Sequence, residues 1–311
     1  TKPEDVSRLR SELINFLWGE PNLPLTIPSK ITKGFKDDRY DDISSLDRID
    51  KLSMMMEFGL ESHVYHFIPK TPNNKVVLYH QGHNDDIYSI KENVIKLLDE
   101  GYSVLSFCMP LMGLNNKKPT INFPRFGRIK IKGHRQMKFL NPTNGHPVKY
   151  FLEPVIEVLN YIETNFSYSQ ISMTGLSGGG WTTTLVSAID TRIQNSFPVA
   201  GSNPFYLVSN DPGSWGEDYE HSIPELYRIT NNLELYILGS YGTGRRQVQI
   251  LNQFDICCYS GVRFRTYDDI LRIRLQKLGL GKFEVFLDTS HKSHIISDVS
   301  INLIIDQLNT P

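Results

Sequence analysis

A single α/β domain built on a mostly parallel, doubly wound sheet is what this sequence predicts, on three observations. From residue 51 onward, short apolar strands alternate with amphipathic helices. No internal repeat or low-complexity segment interrupts the alternation. At 311 residues, with 40 % hydrophobic and 22 % charged residues, the chain is long enough for one sizeable core and ordinary in composition. Strands separated by helices imply parallel pairing through right-handed crossovers. Such sheets carry their chemistry at the carboxyl ends of the strands.

Residues 4–18 read as a helix, with Val6, Leu9, Leu13 and Leu17 near one face. Residues 19–50, rich in Pro, Asp and Lys, read as an irregular connection. The expected organisation is therefore an N-terminal helix and connection over 1–50 and the main domain over 51–311. Residues 51–69 read as two strands meeting near Gly59, the second being Val64-Tyr65-His66-Phe67-Ile68. Lys75-Val76-Val77-Leu78-Tyr79 is a strand. Residues 85–100 are a helix with Ile87, Ile90, Val94, Leu97 and Leu98 on one stripe and Gly101 as its stop. Ser103-Val104-Leu105-Ser106-Phe107 is the next strand. A polar and basic insertion over 111–146 shows no periodicity, and 147–164 reads as a helix. Gln170-Ile171-Ser172-Met173-Thr174 is a strand, with a helix beginning near Gly178. Residues 195–200, 233–238 and 283–287 are strand candidates, and 297–308 closes the chain as a helix.

Composition narrows the function classes. Thirty-three basic and 34 acidic residues leave a net charge of −1, which argues against a nucleic-acid or anionic-membrane partner. No apolar run is long enough to span a bilayer, so a soluble protein is expected. The chain starts at Thr1 without an initiator Met or signal-peptide pattern, as a processed or trimmed form would. Neither compartment nor oligomeric state is legible. Three cysteines, Cys108, Cys257 and Cys258, are too few for a disulfide scaffold. For the adjacent pair two buried thiols are expected, a vicinal disulfide being the alternative. No cofactor is expected: Gly178-Gly179-Gly180 lacks the G-x-G-x-x-G pattern, and Gly242-Thr243-Gly244-Arg245-Arg246 is no complete phosphate loop. Its two arginines are expected at the surface or a substrate edge. His80-x-x-His83 and His291-x-x-His294 lack the helical i, i+4 spacing and the carboxylate of a zinc motif, so no metal is expected.

The decisive segment is Ile171-Ser172-Met173-Thr174-Gly175-Leu176-Ser177-Gly178-Gly179-Gly180. It reads strand, G-x-S-x-G, helix. A serine at the apex of a sharp strand-to-helix turn needs small residues two positions to either side, and Gly175 and Gly179 supply them. The motif is expected by chance about 0.1 times in such a chain, so its strand-and-helix context is what gives it weight. The segment resembles the nucleophile elbow of the α/β-hydrolase superfamily, and the element order from residue 51 to the end is similar to that fold.

The resemblance implies Ser177 as nucleophile, with the Gly178 N–H donating to the oxyanion. It implies a second donor in the loop after an earlier strand, where His80-Gln81-Gly82-His83-Asn84 stands. Gln81 or Gly82 is the candidate donor; His83 and Trp181 are candidates for the substrate pocket. It further implies the order serine, acid, histidine. The base then follows the last strand, where His294 is favoured over His291. The acid is Asp255 if 247–252 is the preceding strand, with Asp211, Glu217 or Asp218 as alternatives one strand earlier.

Such a set implies acyl transfer to water from a small-molecule ester, as in a carboxylesterase or carbohydrate-type esterase. The alternatives are a serine peptidase of the same fold and a non-catalytic binding protein that keeps it. The insertion, with Phe123, Arg125, Phe126, Arg128, Lys130, Lys132 and His134, is expected to form a cap or pocket wall favouring polar or anionic acyl substrates.

Overall fold

The computed structural model describes residues 2–123, 126–208 and 218–310. In chain order the strands are β1 (Lys30–Thr32), β2 (Leu46–Met55), β3 (Glu61–Pro69), β4 (Lys75–His80), β5 (Ser103–Phe107), β6 (Thr120–Phe123), β7 (Gly127–Lys130), β8 (Gln170–Leu176), β9 (Asn195–Val199), β10 (Arg246–Asn252) and β11 (Lys282–Asp288). The helices are α1 (Pro3–Trp18), α2 (Lys91–Asp99), α3 (Glu153–Asn165), α4 (Gly178–Ile189), α5 (Phe205–Val208), α6 (Pro224–Ile229), α7 (Asn232–Ser240), α8 (Asp268–Leu278) and α9 (Asp298–Asn309).

Nine strands form one sheet in the order β1-β2-β3-β5-β4-β8-β9-β10-β11. β1, β2 and β3 pair antiparallel, as do β3 and β5. From β5 to β11 every pairing is parallel. The chain winds outward from β4 to β5 and then returns to β8 on the other side of β4. The β4/β8 boundary is thus the topological switch point, where crevices open at the carboxyl edge.

Alternation in β4 shows how the sheet makes two cores. Val76 and Leu78 enter the core shared with α1, α3, α4, α7 and α8. Val77 and Tyr79 enter the opposite core, shared with α2 and α9. Both faces of the sheet are therefore covered, and its central strands are buried nearly throughout.

Three expectations about the elements need correction. The boundary at residue 50 falls inside β2, and Val6, Leu9, Leu13 and Leu17 of α1 are buried in the same core as α4. Residues 1–50 are thus integral to the domain. The run 233–238 is not a strand but lies in α7, started by a capping box in which Asn231 accepts from Glu234 N–H and Glu234 accepts from Asn231 N–H. An apolar run of that length has no period to separate helix from buried strand. The expected helix over 147–164 is split into a 3-10 turn (Pro147–Phe151) and α3, because Pro154 cannot continue a helix begun upstream. Helix α8 has no counterpart among the sequence expectations.

Cys257 and Cys258 are joined by a disulfide with Cys257 exposed, rather than standing as two buried thiols. Arg245 is not at the surface. It is buried, and its guanidinium donates to the carbonyls of Ser187, Ile193, Leu238 and Tyr241, gathering the carboxyl ends of α4 and α7. Arg246 donates to Asn195 and Gln307 at the amino-terminal edge of the sheet, away from the strand ends that carry the candidate site.

Candidate active site

The turn between β8 and α4 lifts Ser177 into a conformation that L residues rarely adopt, φ 56° and ψ −122°. Its N–H donates to Val199 O of the neighbouring strand at 3.0 Å, which holds the turn against the sheet. Every residue of α4 is buried. The hydroxyls of Thr182, Thr183 and Thr184 return to the carbonyls of Gly178, Gly179 and Gly180 at 2.8–3.0 Å, so three polar side chains are satisfied inside an apolar layer.

The loop after β4 lies directly against this turn, because β4 and β8 are paired up to His80 and Gly175. A Cβ on Gly179 would collide with the His80 carbonyl and lie 2.9 Å from Gly82 N. Both obstacles are backbone atoms and cannot swing away. Gly179→Ala is therefore expected to destabilise the fold by roughly 3 kcal/mol or more. The melting temperature should fall by several degrees and activity should be lost together with it. Gly82 is equally constrained: its φ is 78°, and a Cβ there would strike the Leu176 carbonyl.

The loop's hydrogen bonds sort its donors. Gln81 N–H donates to Phe107 O at 3.1 Å and is spent. The Gln81 side chain donates to Asn84 O and Asp86 O, and accepts from the Cys108 thiol at 3.7 Å, so Gln81 braces the loop rather than facing a ligand. Gly82 N–H points at His80 Nδ1, 3.3 Å away. The N–H groups of His83 and Gly178 have no partner among the described residues. The His83 ring lies over the Gly178 Cα, where any side chain would displace it. Trp181, expected in the pocket, is 2 % exposed; its Nε1 donates to Tyr227 and its ring stacks on His221.

Asp255 and His294 come from the loops after β10 and β11, the strands beyond β9 on the elbow's side of the sheet. His294 Nδ1 lies 2.6 Å from Asp255 Oδ2. Asp255 Oδ1 accepts the Cys257 N–H at 2.8 Å. Burial works to raise the Asp255 pKa, but the bonds from His294 and Cys257 hold it below the usual carboxylate value. With a proton on Nδ1, His294 Nε2 carries the free lone pair, and it has no hydrogen-bond partner among the described residues. No hydrogen bond joins it to Ser177.

His291 is not a surface residue: its side chain is 14 % exposed, with Nε2 3.4 Å from Asp288 Oδ2 and neither ring nitrogen hydrogen-bonded among the described residues. That carboxylate already accepts from Ser290 N–H and from the hydroxyls of Ser290, Ser297 and Ser300. Burial opposes its ionisation, but these bonds hold it down at about 2. Asp288 thus braces the start of α9, with no lone pair directed to orient a base. Of the alternative acids, Asp211 and Glu217 lie outside the described residues. Asp218 Oδ2 is 3.6 Å from His83 Nε2, in a group apart from the His294–Asp255 pair.

Sequence reasoning did not single out Glu220. It is completely buried beside the elbow, with Oε1 2.7 Å from His83 Nε2 and Oε2 3.4 Å from His134 Nδ1. The two histidines come from distant segments, so no local spacing announces the group. His134 is the insertion's contribution. The described part of 111–146 buries Ile121, Ile131, Met137 and Leu140 in the core and folds a β6–β7 hairpin over it. Arg125 lies outside the described residues. Arg128, Lys130 and Lys132 are exposed. Phe123, Phe126, Ile129, Ile131 and Phe139 line a cleft of about 630 Å³ that includes neither Ser177 nor His294.

The sheet order, the strand-to-helix elbow and the layering together define the α/β-hydrolase fold, and this chain has it. No protein-family model matches the sequence, and no curated protein sequence does. Solved structures share the fold over nearly the whole chain. An acetyl xylan esterase from Paenibacillus sp. R4 is 16 % identical with a TM-score of 0.61, the match covering 99 % of this chain and 95 % of that one. Acetyl xylan esterase 1 from Thermoanaerobacterium sp. JW/SL YS485 is 11 % identical with a TM-score of 0.58, over 98 % and 93 %. The acylaminoacyl peptidase of Pyrococcus horikoshii is 14 % identical with a TM-score of 0.56, over 86 % of this chain and 42 % of the peptidase. Among the described residues, no helix is long and apolar enough to cross a membrane.

Proposed function

We propose that the protein is a serine hydrolase of small carboxylic esters, with Ser177 as nucleophile, His294 as general base and Asp255 as its orienting acid. The observation that carries the proposal is the His294–Asp255 hydrogen bond of 2.6 Å with the imidazole's other nitrogen left unpartnered. It is made on the loops after β10 and β11, on the same sheet edge as the strained serine. In this reading Nε2 takes the Ser177 proton as Oγ attacks the ester carbonyl. The imidazolium then protonates the leaving alcohol, and a water repeats the sequence to release the acid. Asp255 fixes the tautomer and stabilises the charged ring. The oxyanion is held by the N–H groups of Gly178 and His83, neither of which has a hydrogen-bond partner among the described residues, and by the positive end of α4.

A short acyl group is the expected one, in keeping with the two acetyl xylan esterases that share the fold. Of the insertion's basic residues, Arg128, Lys130 and Lys132 do not line the neighbouring cleft, whereas Lys138 does. The test is a panel of acetyl, butyryl and octanoyl aryl esters, an acetylated xylo-oligosaccharide and a blocked peptide anilide. Acetyl esters are expected to show the highest kcat/KM. Turnover of the anilide above every ester would make the chain a peptidase. No turnover, together with no labelling by a fluorophosphonate, would make it a non-catalytic member of the fold.

A further inference from the structure

Beside the elbow, and outside the Ser177, His294 and Asp255 set, four ligand-type side chains converge from three segments. They are His83 of the loop after β4, His134 of the insertion, and Asp218 and Glu220 ahead of α6. One donor atom from each lies within 4.8 Å of all the others. Glu220 is wholly buried, and its Oε2 has no hydrogen-bond partner among the described residues. A buried carboxylate oxygen whose nearest partner is an imidazole nitrogen 3.4 Å away is poorly satisfied, and a cation at this point would satisfy it.

The imidazoles are set up as ligands. His134 Nε2 donates to Pro110 O at 2.8 Å, which leaves Nδ1, facing Glu220 Oε2, as the nitrogen that a metal ion would take in place of a proton. A backbone carbonyl on the far nitrogen is the usual support of a metal-bound histidine. Around zinc, bonds of about 2.0–2.1 Å in a tetrahedron separate neighbouring donor atoms by about 3.3 Å. Here His134 Nδ1 to Glu220 Oε2 is 3.4 Å and His83 Nε2 to Asp218 Oδ2 is 3.6 Å. The His83 to Glu220 separation, 2.7 Å, would open to admit the ion. Two neutral imidazoles and two carboxylates supply two negative charges, matching a divalent cation, and an all-nitrogen-and-oxygen set suits zinc better than softer ions. Asp218, partly exposed, gives the ion a way in.

We propose that His83, His134, Asp218 and Glu220 form a structural site for a divalent transition metal, zinc by preference, that fastens the loop after β4 to the insertion. The metal would be bound away from the reacting carbonyl and would hold the loop whose N–H faces the oxyanion. The site stands on its own geometry, whether or not the chain hydrolyses esters.

The test is metal content of the full chain, stripped with a chelator under oxidising conditions, reloaded with zinc chloride and dialysed. One equivalent of zinc is expected in the wild type and in Ser177→Ala, with less than a tenth in His134→Gln and Glu220→Gln. Adding zinc to stripped wild type at a hundred times its dissociation constant should raise the melting temperature by about 5 °C. Cobalt in its place should give the visible absorption of a tetrahedral nitrogen and oxygen site. If Glu220→Gln does not fold, Asp218→Asn, at the open side, should still fold and bind zinc about tenfold more weakly. Less than a tenth of an equivalent in the wild type with no thermal shift would overturn the proposal. So would a full equivalent in both His134→Gln and Asp218→Asn. Because Ser177→Ala is carried alongside, a failed hydrolase assignment leaves this result readable.

Discussion

Ser177→Ala is expected to lower kcat for an acetyl ester by about 10⁵-fold or more, to leave the melting temperature within about 1 °C of wild type, and to prevent any phosphonate adduct. The size of the effect follows from what the elbow spends its strain on. The turn that places Ser177 at φ 56° brings its hydroxyl to the edge where β4, β8, β9, β10 and β11 end. Alanine tolerates that backbone no better and no worse than serine, so the strain is unchanged while the attacking oxygen is gone. Steady-state kinetics with intact-protein mass spectrometry after fluorophosphonate treatment checks both halves. Equal labelling of Ser177→Ala and wild type would place the nucleophile elsewhere.

Asp255→Asn is expected to cost about 10⁴-fold in kcat with little change in KM. The buried carboxylate accepts from His294 Nδ1 at 2.6 Å and from Cys257 N–H at 2.8 Å. An asparagine that keeps its oxygen toward Cys257 turns its NH₂ toward the ring. It then selects the tautomer with the proton on Nε2, which cannot accept the Ser177 proton. Paired substitutions make the measurement decisive: Asp218→Asn and His291→Ala should each change kcat less than tenfold. If Asp218→Asn matched Asp255→Asn, the acid would have been misassigned.

What the sequence makes legible here is chemistry confined to a few consecutive residues. Gly175, Ser177 and Gly179 are readable because a tight turn leaves no room for side chains, and the alternating strands from residue 75 are readable because parallel pairing demands apolar runs. The loop after β4 could be found, yet its donors could not. Only the fold shows that Gln81 N–H is taken by Phe107 O and that His83 N–H has no partner among the described residues. Trp181 looked available because it follows the glycines, but α4 is buried on every side. Arg245 looked like a surface charge because sequence cannot show four carbonyls converging on it. Glu220 and His134, 86 positions apart, meet only after the insertion folds back over the core. The run 233–238 misleads because its apolar residues carry no period, while its capping signal, Asn231 with Glu234, is two short polar residues easily passed over.

The account turns on one geometry: a serine oxygen, two backbone N–H groups and an imidazole nitrogen around a single reacting centre. A crystal structure of the wild-type protein covalently inhibited by a small alkyl phosphonate measures it directly. The account predicts phosphorus bonded to Ser177 Oγ, a phosphoryl oxygen within about 3 Å of the N–H groups of both Gly178 and His83, and His294 Nε2 within hydrogen-bond reach of the serine or leaving-group oxygen. Phosphorus on another residue, or on Ser177 with its oxygen turned to solvent and His294 out of reach, would contradict it.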